Sequence, residues 1–314
     1  MKKTFCFLFF LIYNLSFSQT EKLFYYIEKD SLLGVKNQAG KIIIPAKKLI
    51  MPSIYDGISK NEITQNILMF WIVKEGPKAY DRNGVFLFEP YIFDNGFDYF
   101  TEDFMRFKSG KKMGLVNQKE TIVIPAKYDY ISSINFGLAQ YCNGCYWDTT
   151  KDEEHPPLVG GIWGFVDKNG KEIKTTSKRN HPKDIETKEN TYIPYQFKYN
   201  KKEEIILDFF EKRKNQIIKI NGLNCSDKML FFEIVEKPSK FKPFYKIKTF
   251  ELCNKFPNGA DETYEDFKIF KVSADGKKFY VLYTDLIDYE KYSDYVERKI
   301  LVDTWINGNI KQKP

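Results

Sequence analysis

Histidine is almost missing from this chain, with two in 314 residues, His155 and His181. Each lies in a polar, proline-containing stretch, so a Ser-His-Asp or Cys-His arrangement has little to draw on. No glycine-rich phosphate loop is present, and no cofactor is expected. Long apolar runs are scarce too. The one at the N-terminus is about half of the ~20 residues that a membrane-spanning helix needs, so the mature chain is expected to lack a transmembrane segment. Charge of one sign is nowhere concentrated: 49 Lys and Arg are interleaved with 42 Asp and Glu along the whole length. A nucleic-acid footprint would cluster its basic residues on one element, so a nucleic-acid partner is not expected.

What is present starts at the N-terminus. Met1-Lys2-Lys3 is a short basic segment, the run from Phe5 to Tyr13 is apolar, and Ser16 and Ser18 occupy the −3 and −1 positions of a signal-peptidase site. This pattern predicts a signal peptide over residues 1–18 with cleavage before Gln19, hence export to the periplasm or the cell surface. The rival reading is an N-terminal anchor that is never cleaved. Cys6 precedes most of the apolar run, where a lipid-attachment cysteine would not sit. Removal of residues 1–18 takes away two lysines and lowers the formal charge from +7 to +5. It also takes one of the five cysteines, leaving Cys142, Cys145, Cys225 and Cys253. An even number in an oxidising compartment suggests disulfides. Three pairings are possible, and the favoured one joins 142 to 145 and 225 to 253. Aromatics make up 17% of the chain, which with β-branched residues favours strands.

Self-similarity organises the first half. The segment from Leu33-Gly34 through Gly40 to Ile42-Ile43-Ile44-Pro45-Ala46-Lys47 recurs 80 residues later, from Met113-Gly114 to Ile122-Val123-Ile124-Pro125-Ala126-Lys127. Trp163-Gly164-Phe165-Val166-Asp167-Lys168-Asn169-Gly170 repeats its front half, and Lys78-Ala79-Tyr80-Asp81-Arg82-Asn83-Gly84 fits as a worn copy. A single short match arises easily by chance; four in order do not. In each copy Asn or Asp opens a turn that reaches Gly three residues later, which is hairpin chemistry because glycine takes the positive-φ position without steric cost. Glu120 replaces that glycine in the third copy, predicting a looser turn there. A second strand follows, and Pro45 or Pro125 is expected to stop it. Aromatic-rich connectors lead on to a third strand around Phe136-Gly137-Leu138-Ala139-Gln140-Tyr141. Such a unit cannot bury its apolar face alone, but stacked copies can.

Ile162-Trp163-Gly164-Phe165-Val166-Asp167-Lys168-Asn169-Gly170-Lys171 resembles the core of the WG (Trp-Gly) repeat family. Pro125-Ala126-Lys127-Tyr128-Asp129 and Phe136-Gly137-Leu138-Ala139 are similar to its flanking segments. The resemblance covers roughly residues 24–175, with Leu33 and Met113 standing for the Trp and Lys78 for the Gly. It implies a β-rich array in a bacterial protein, commonly exported and involved in interactions, and it carries no catalytic residues. The residues expected to be structurally defining are Gly34, Gly40, Pro45, Gly84, Gly114, Pro125, Trp163, Gly164 and Gly170.

The composition changes near Thr176. Residues 177–184 read as a polar linker, dividing a repeat array over 19–176 from a second domain over 185–314. In that domain Asn200 is placed to cap a helix over 201–214, with Ile205, Ile206, Phe209 and Phe210 on one face and Glu203 near the N3 position. A buried strand over 205–210 is the rival reading, since a short apolar run does not fix its own period. Strands are expected at 216–220, 229–235, 244–252, 266–272, 278–284 and 296–304, with Ser273-Ala274-Asp275-Gly276 as a hairpin turn. The fold class is therefore mainly β: stacked β-meander repeats, then an antiparallel-sheet α+β domain.

Candidate chemistry is thin. Cys142-Asn143-Gly144-Cys145 could be a redox pair, but the residues after it do not begin the helix that such a thiolate needs. A zinc site lacks nearby ligands beyond His155. A structural disulfide is the simpler reading. Asp152-Glu153-Glu154-His155 could hold a hard cation, although a charged run before Pro156-Pro157 is more often a solvated loop. No carboxylate pair is singled out for sugar cleavage. Exposed aromatics could line a sugar- or peptide-binding surface, against which stands simple core filling. The expected function is an exported, non-enzymatic binding or scaffold protein whose array meets a protein or glycan of the envelope. The alternative is a hydrolase with its site in the second domain or at the domain junction.

Overall fold

The computed structural model describes residues 21–28, 32–46, 62–63, 65–72, 74–93, 96–187, 189–221, 230–239, 242–251, 269–286 and 295–310. The residues of the expected signal peptide, Cys225 and Cys253 lie outside them. The described chain is mainly β, built of antiparallel sheets with three helices.

The internal repeats fold as four three-stranded antiparallel meanders. The first is β1 (Leu23–Glu28), β2 (Leu32–Asn37) and β3 (Ile42–Ile44); the second is β4 (Leu68–Ile72), β5 (Gly76–Tyr80) and β6 (Phe86–Pro90). A small hairpin, β7 (Ile92–Phe93) with β8 (Gly96–Phe97), leads to the third: β9 (Phe104–Ser109), β10 (Lys112–Asn117) and β11 (Ile122–Tyr128). Strand β12 (Tyr130–Ile131) pairs with the fourth: β13 (Leu138–Trp147), β14 (Leu158–Asp167) and β15 (Glu172–Ile173). Pairing of β6 with β9 fuses the second and third meanders into one six-stranded sheet. The strand expected at the end of each unit is thus the first strand of the next.

The turn between second and third strands is the same in all four copies. The opening residue accepts through its side chain from backbone N–H groups: Asn37 from Lys41, Asp81 from Asn83 and Val85, Asn117 from Lys119 and Thr121, Asp167 from Asn169 and Lys171. This is why Asx is found there. Glu120 takes the conformation of its glycine counterparts, with φ 65°. The expected loosening does not occur, because the Asn117 contacts and the ladder hydrogen bonds hold the backbone in place.

The glycine of the Trp-Gly pair has a packing cause. It faces an aromatic residue on the first strand in direct register: Tyr26 opposite Gly34, Phe107 opposite Gly114, Tyr141 opposite Gly164. A Cβ at Gly164 would lie 2.6 Å from the Tyr141 ring, and one at Gly114 would fall against the Ile124 carbonyl oxygen and 2.7 Å from Phe107. The ring lies across the bare backbone. The residue before the glycine fills the core instead: Leu33 and Met113 are buried, and Trp163 packs against the same cluster as Met113.

Three apolar clusters each straddle two successive units. Leu23, Leu33 and Val35 pack with Leu68, Phe70 and Ile72; Ala79 and Phe88 with Met105, Phe107 and Val116; Met113, Leu115 and Ile124 with Ala139, Cys142 and Val166. No unit owns a core, which is what makes them stack. Pro125 does not end its strand as expected. It lies inside β11, where the register slips between the partners of Met113 and Leu115. β11 is a sheet edge, so the missing N–H costs no ladder bond and the bulge absorbs the ring. Pro45 directly follows β3 and Pro90 closes β6.

After a small hairpin of β16 (Ile185–Glu186) and β17 (Tyr192–Ile193), helix α1 (Lys201–Glu211) begins at a full capping box of Asn200 and Glu203. It buries Ile206, Leu207 and Phe210, while Ile205 points outward at 61% exposure, correcting the expected face. The segment read as a strand over 216–220 is helix α2 (Lys214–Asn221), and the C-terminal part of the last expected strand is helix α3 (Val302–Ile310). Strands β18 (Leu230–Glu236), β19 (Phe244–Glu251), β20 (Phe270–Ser273), β21 (Phe279–Leu286) and β22 (Tyr295–Leu301) form an antiparallel meander, with the Ser273–Gly276 turn where expected. All three helices pack on one face, Phe210, Ile217 and Trp305 meeting Phe232, Phe270 and Val281. On the other face Phe231 joins the cluster of Leu138, Ile185 and Ile193, which docks the sheet on the fourth repeat.

Candidate functional site

A cleft of about 580 Å3 opens where the turns of the third and fourth repeats face the end of β18 and the residues that follow it. Its floor is a two-residue turn, Thr101 to Phe104, in which Glu102 (φ 51°) and Asp103 (φ 75°) both take the left-handed conformation usually left to Asn-Gly. That strain is over-determined by contacts. The buried Glu102 carboxylate accepts from the backbone N–H of Phe136 (2.7 Å) and Gly137 (2.9 Å) and pairs with Lys168 at 2.9 Å. Lys168 in turn donates to the Val235 carbonyl oxygen at 2.6 Å. Asp103 pairs with Lys242 at 3.0 Å, and Lys242 with Glu236 at 2.9 Å. Burial pushes the Glu236 carboxyl up, but the hydrogen bond from Lys242 and the charges of Lys246, Lys242 and Lys168 outweigh it and hold it below its ordinary value. Burial likewise pulls the Lys242 ammonium down, and its bonds to Glu236 and Asp103 reverse that and hold it high.

Beside the cleft lies a second buried polar centre. Glu233, fully buried on β18, accepts from Tyr195 (2.7 Å), from Tyr199 and from Lys183 (2.7 Å). Burial first, then the Glu233 charge, pushes both phenols far up, so neither is an activated nucleophile. Asp184 collects the backbone N–H groups of Asn180, His181 and Tyr195, which organises residues 177–184. Burial pushes its carboxyl up, and those three N–H bonds outweigh it and hold it low.

The far end of the fourth repeat is different in kind. β13 and β14 pair all the way to Trp147 opposite Leu158, whereas β12 reaches only Cys142 and β15 only Phe165. From Asn143 outward the two strands therefore stand as a ribbon. Ile162 (78%), Tyr146 (61%) and Trp147 (48%) are exposed on it. The ribbon is pinned at its root by the Cys142–Cys145 disulfide, which closes around Gly144 (φ 79°) within β13 while the register with β14 stays unbroken. That pair lies inside a strand and not at a helix N-terminus, so the geometry lacks the element that would activate a thiolate. The loop beyond carries Asp148, Asp152, Glu153 and Glu154. Asp152 accepts from the backbone of Glu154 and His155, as in an ordinary solvated turn. Among the described residues no group of three His, Cys, Asp or Glu is arranged to hold a metal.

The structure thus places the repeat glycines, Trp163 and Pro125 in the frame of the array, and brings other residues together at the cleft. Glu102, Asp103, Lys168, Glu233 and Lys242 were not readable in the sequence, because, apart from the Lys242–Glu236 pair six residues apart, their partners lie 34 to 139 residues away. The one local signal was the doubled acid of Glu102-Asp103 at a hairpin position where Asn-Gly is normal.

Cores shared between successive meanders, identical turns and strand-to-strand fusion define a stacked β-meander repeat protein. More particularly, residues 113–147 match the family model of the WG containing repeat, and the chain is a WG-repeat protein over that segment. The match runs from the middle strand of the third meander to the end of β13, so the family's unit bridges two structural ones. No curated protein matches the chain. No described helix is long and apolar enough to cross a membrane.

Proposed function

We propose that the chain is an exported, non-enzymatic binding protein that grips a protein partner of the cell envelope with the β13–β14 ribbon of its fourth repeat. The exposed Tyr146, Trp147 and Ile162 on that ribbon carry the reading. A two-stranded ribbon projecting apolar side chains into water gains stability when a partner covers them, and aromatic anchors of this kind supply rigid contact area. The adjoining acidic loop selects the partner's chemistry: an apolar groove with a basic rim. The Cys142–Cys145 disulfide agrees with an oxidising compartment, periplasmic or surface. The hydrolase alternative gains no support from the junction cleft. A general acid needs a carboxyl pushed up toward neutrality, and Glu236 is held down.

The test captures partners from envelope extract with the full chain and with Tyr146→Ala, Trp147→Ala and Ile162→Ser combined. The triple variant should keep its Tm and lose roughly tenfold or more of the retained partner, as loss of a hot spot does. Equal capture by both proteins would sink the ribbon as the contact. N-terminal sequencing of the secreted material should begin at Gln19.

A further inference from the structure

We propose that the junction cleft is a binding site for a neutral oligosaccharide. This site lies at the opposite end of β13 and β14 from the ribbon, so it goes beyond the protein contact and does not depend on it. Most charges in its wall are already spent on one another: Glu102 on Lys168, Asp103 and Glu236 on Lys242, Lys237 on Glu203, Asp167 on its own turn; Lys119 and Lys198 are exposed to solvent. What the wall offers a ligand is amide. Asn66, Gln118, Asn169 and Gln196 line the cleft from four segments, and the bond from Gln196 Nε2 to the Pro194 carbonyl oxygen holds that side chain in place. A primary amide presents donor and acceptor side by side, which matches adjacent hydroxyls that must each give and take a hydrogen bond. An apolar ligand would leave these groups unpaired, and an ion would find no unspent charge of one sign deep in the wall. Phe197 supplies the flat apolar face that the C–H side of a sugar ring needs. It is half-buried, lines the cleft, and is braced by Tyr199 at 6.0 Å and an interplanar angle of 17°. The volume falls in the range of small-molecule sites.

Calorimetric titration of the full chain with maltohexaose, cellohexaose and chitohexaose tests this. At least one should bind, with an affinity unchanged between about 50 and 500 mM NaCl because no ion pair is made. Gln118→Ala and Gln196→Ala should each weaken it roughly threefold to tenfold, and Phe197→Ala more, with Tm checked for each variant. Asn169→Ala, at an exposed turn position, serves where another variant fails to fold. Binding of none of the three sugars, binding that collapses with salt, or binding indifferent to these substitutions would overturn the proposal. None of those outcomes touches the ribbon reading, whose variants lie at the other end of the strands.

Discussion

Glu120 occupies a backbone position that three sister turns give to Gly40, Gly84 and Gly170. A side chain in that region costs about 1–2 kcal/mol, part of which glycine returns through its freer unfolded state. Burial, and after it the charge of Asp81, pushes the Glu120 carboxyl up, so the ionised side chain is also poorly placed. Glu120→Gly should therefore stabilise the protein by about 1 kcal/mol, read as a raised Tm. A lowered Tm would mean that the side chain makes contacts worth more than the strain. At this scale much was legible. Asx opening the turn and glycine ending it are local requirements, and local requirements are written in adjacent residues.

Strands β8 and β9 show what one element asks of another. Arg106 on β9 is buried in the sheet with Asp98, the residue just after β8, and the pair is bidentate at 2.7 and 3.0 Å with both side chains 1% exposed. Tyr91 and Phe93 present their rings to the guanidinium at 4.6 and 5.4 Å. Asp98→Ala would take the bidentate carboxylate partner from a buried charge and should cost about 3–5 kcal/mol in urea unfolding, whereas replacing both partners by apolar residues of similar volume should cost far less. A loss below about 1 kcal/mol for Asp98→Ala would mean that water reaches Arg106 in place of the carboxylate. Elements were legible where they carried their own signal. The Asn200 and Glu203 cap announced α1. The apolar runs of α2 and α3 are too short to fix a period, and only the sheet they cover settles it. Pro125 misled for a similar reason, since its tolerance depends on β11 being an edge.

Across the whole molecule the Asp103–Lys242–Glu236 chain joins the repeat array to the C-terminal sheet, and its titration predicts a pH window. Glu236 has its folded pKa depressed, so its contribution is present above its ordinary value of 4.5 and is lost as pH falls through the lower folded value. Lys242 has its folded pKa raised, so its contribution is present below 10.5 and is lost as pH rises through the higher folded value. Stability should be flat between these limits and fall beyond both. In Glu236→Gln the acid-side loss should shrink, measured as Tm against pH. An acid limb unchanged in that variant would place the linkage in other carboxylates such as Asp184.

The order of residues along the chain dictates that there are repeats, where their turns fall, and that each unit is too small to stand alone. These follow from spacing and from residues next to one another. Tertiary structure alone decided that cores would be shared between neighbours, that aromatic rings would lie across the Trp-Gly glycines, and that one meander would outgrow its sheet as a ribbon. It also decided where charges would cancel to leave an amide-lined cleft. Those outcomes depend on groups tens of residues apart meeting at distances of a few ångströms, and no local pattern encodes such a meeting.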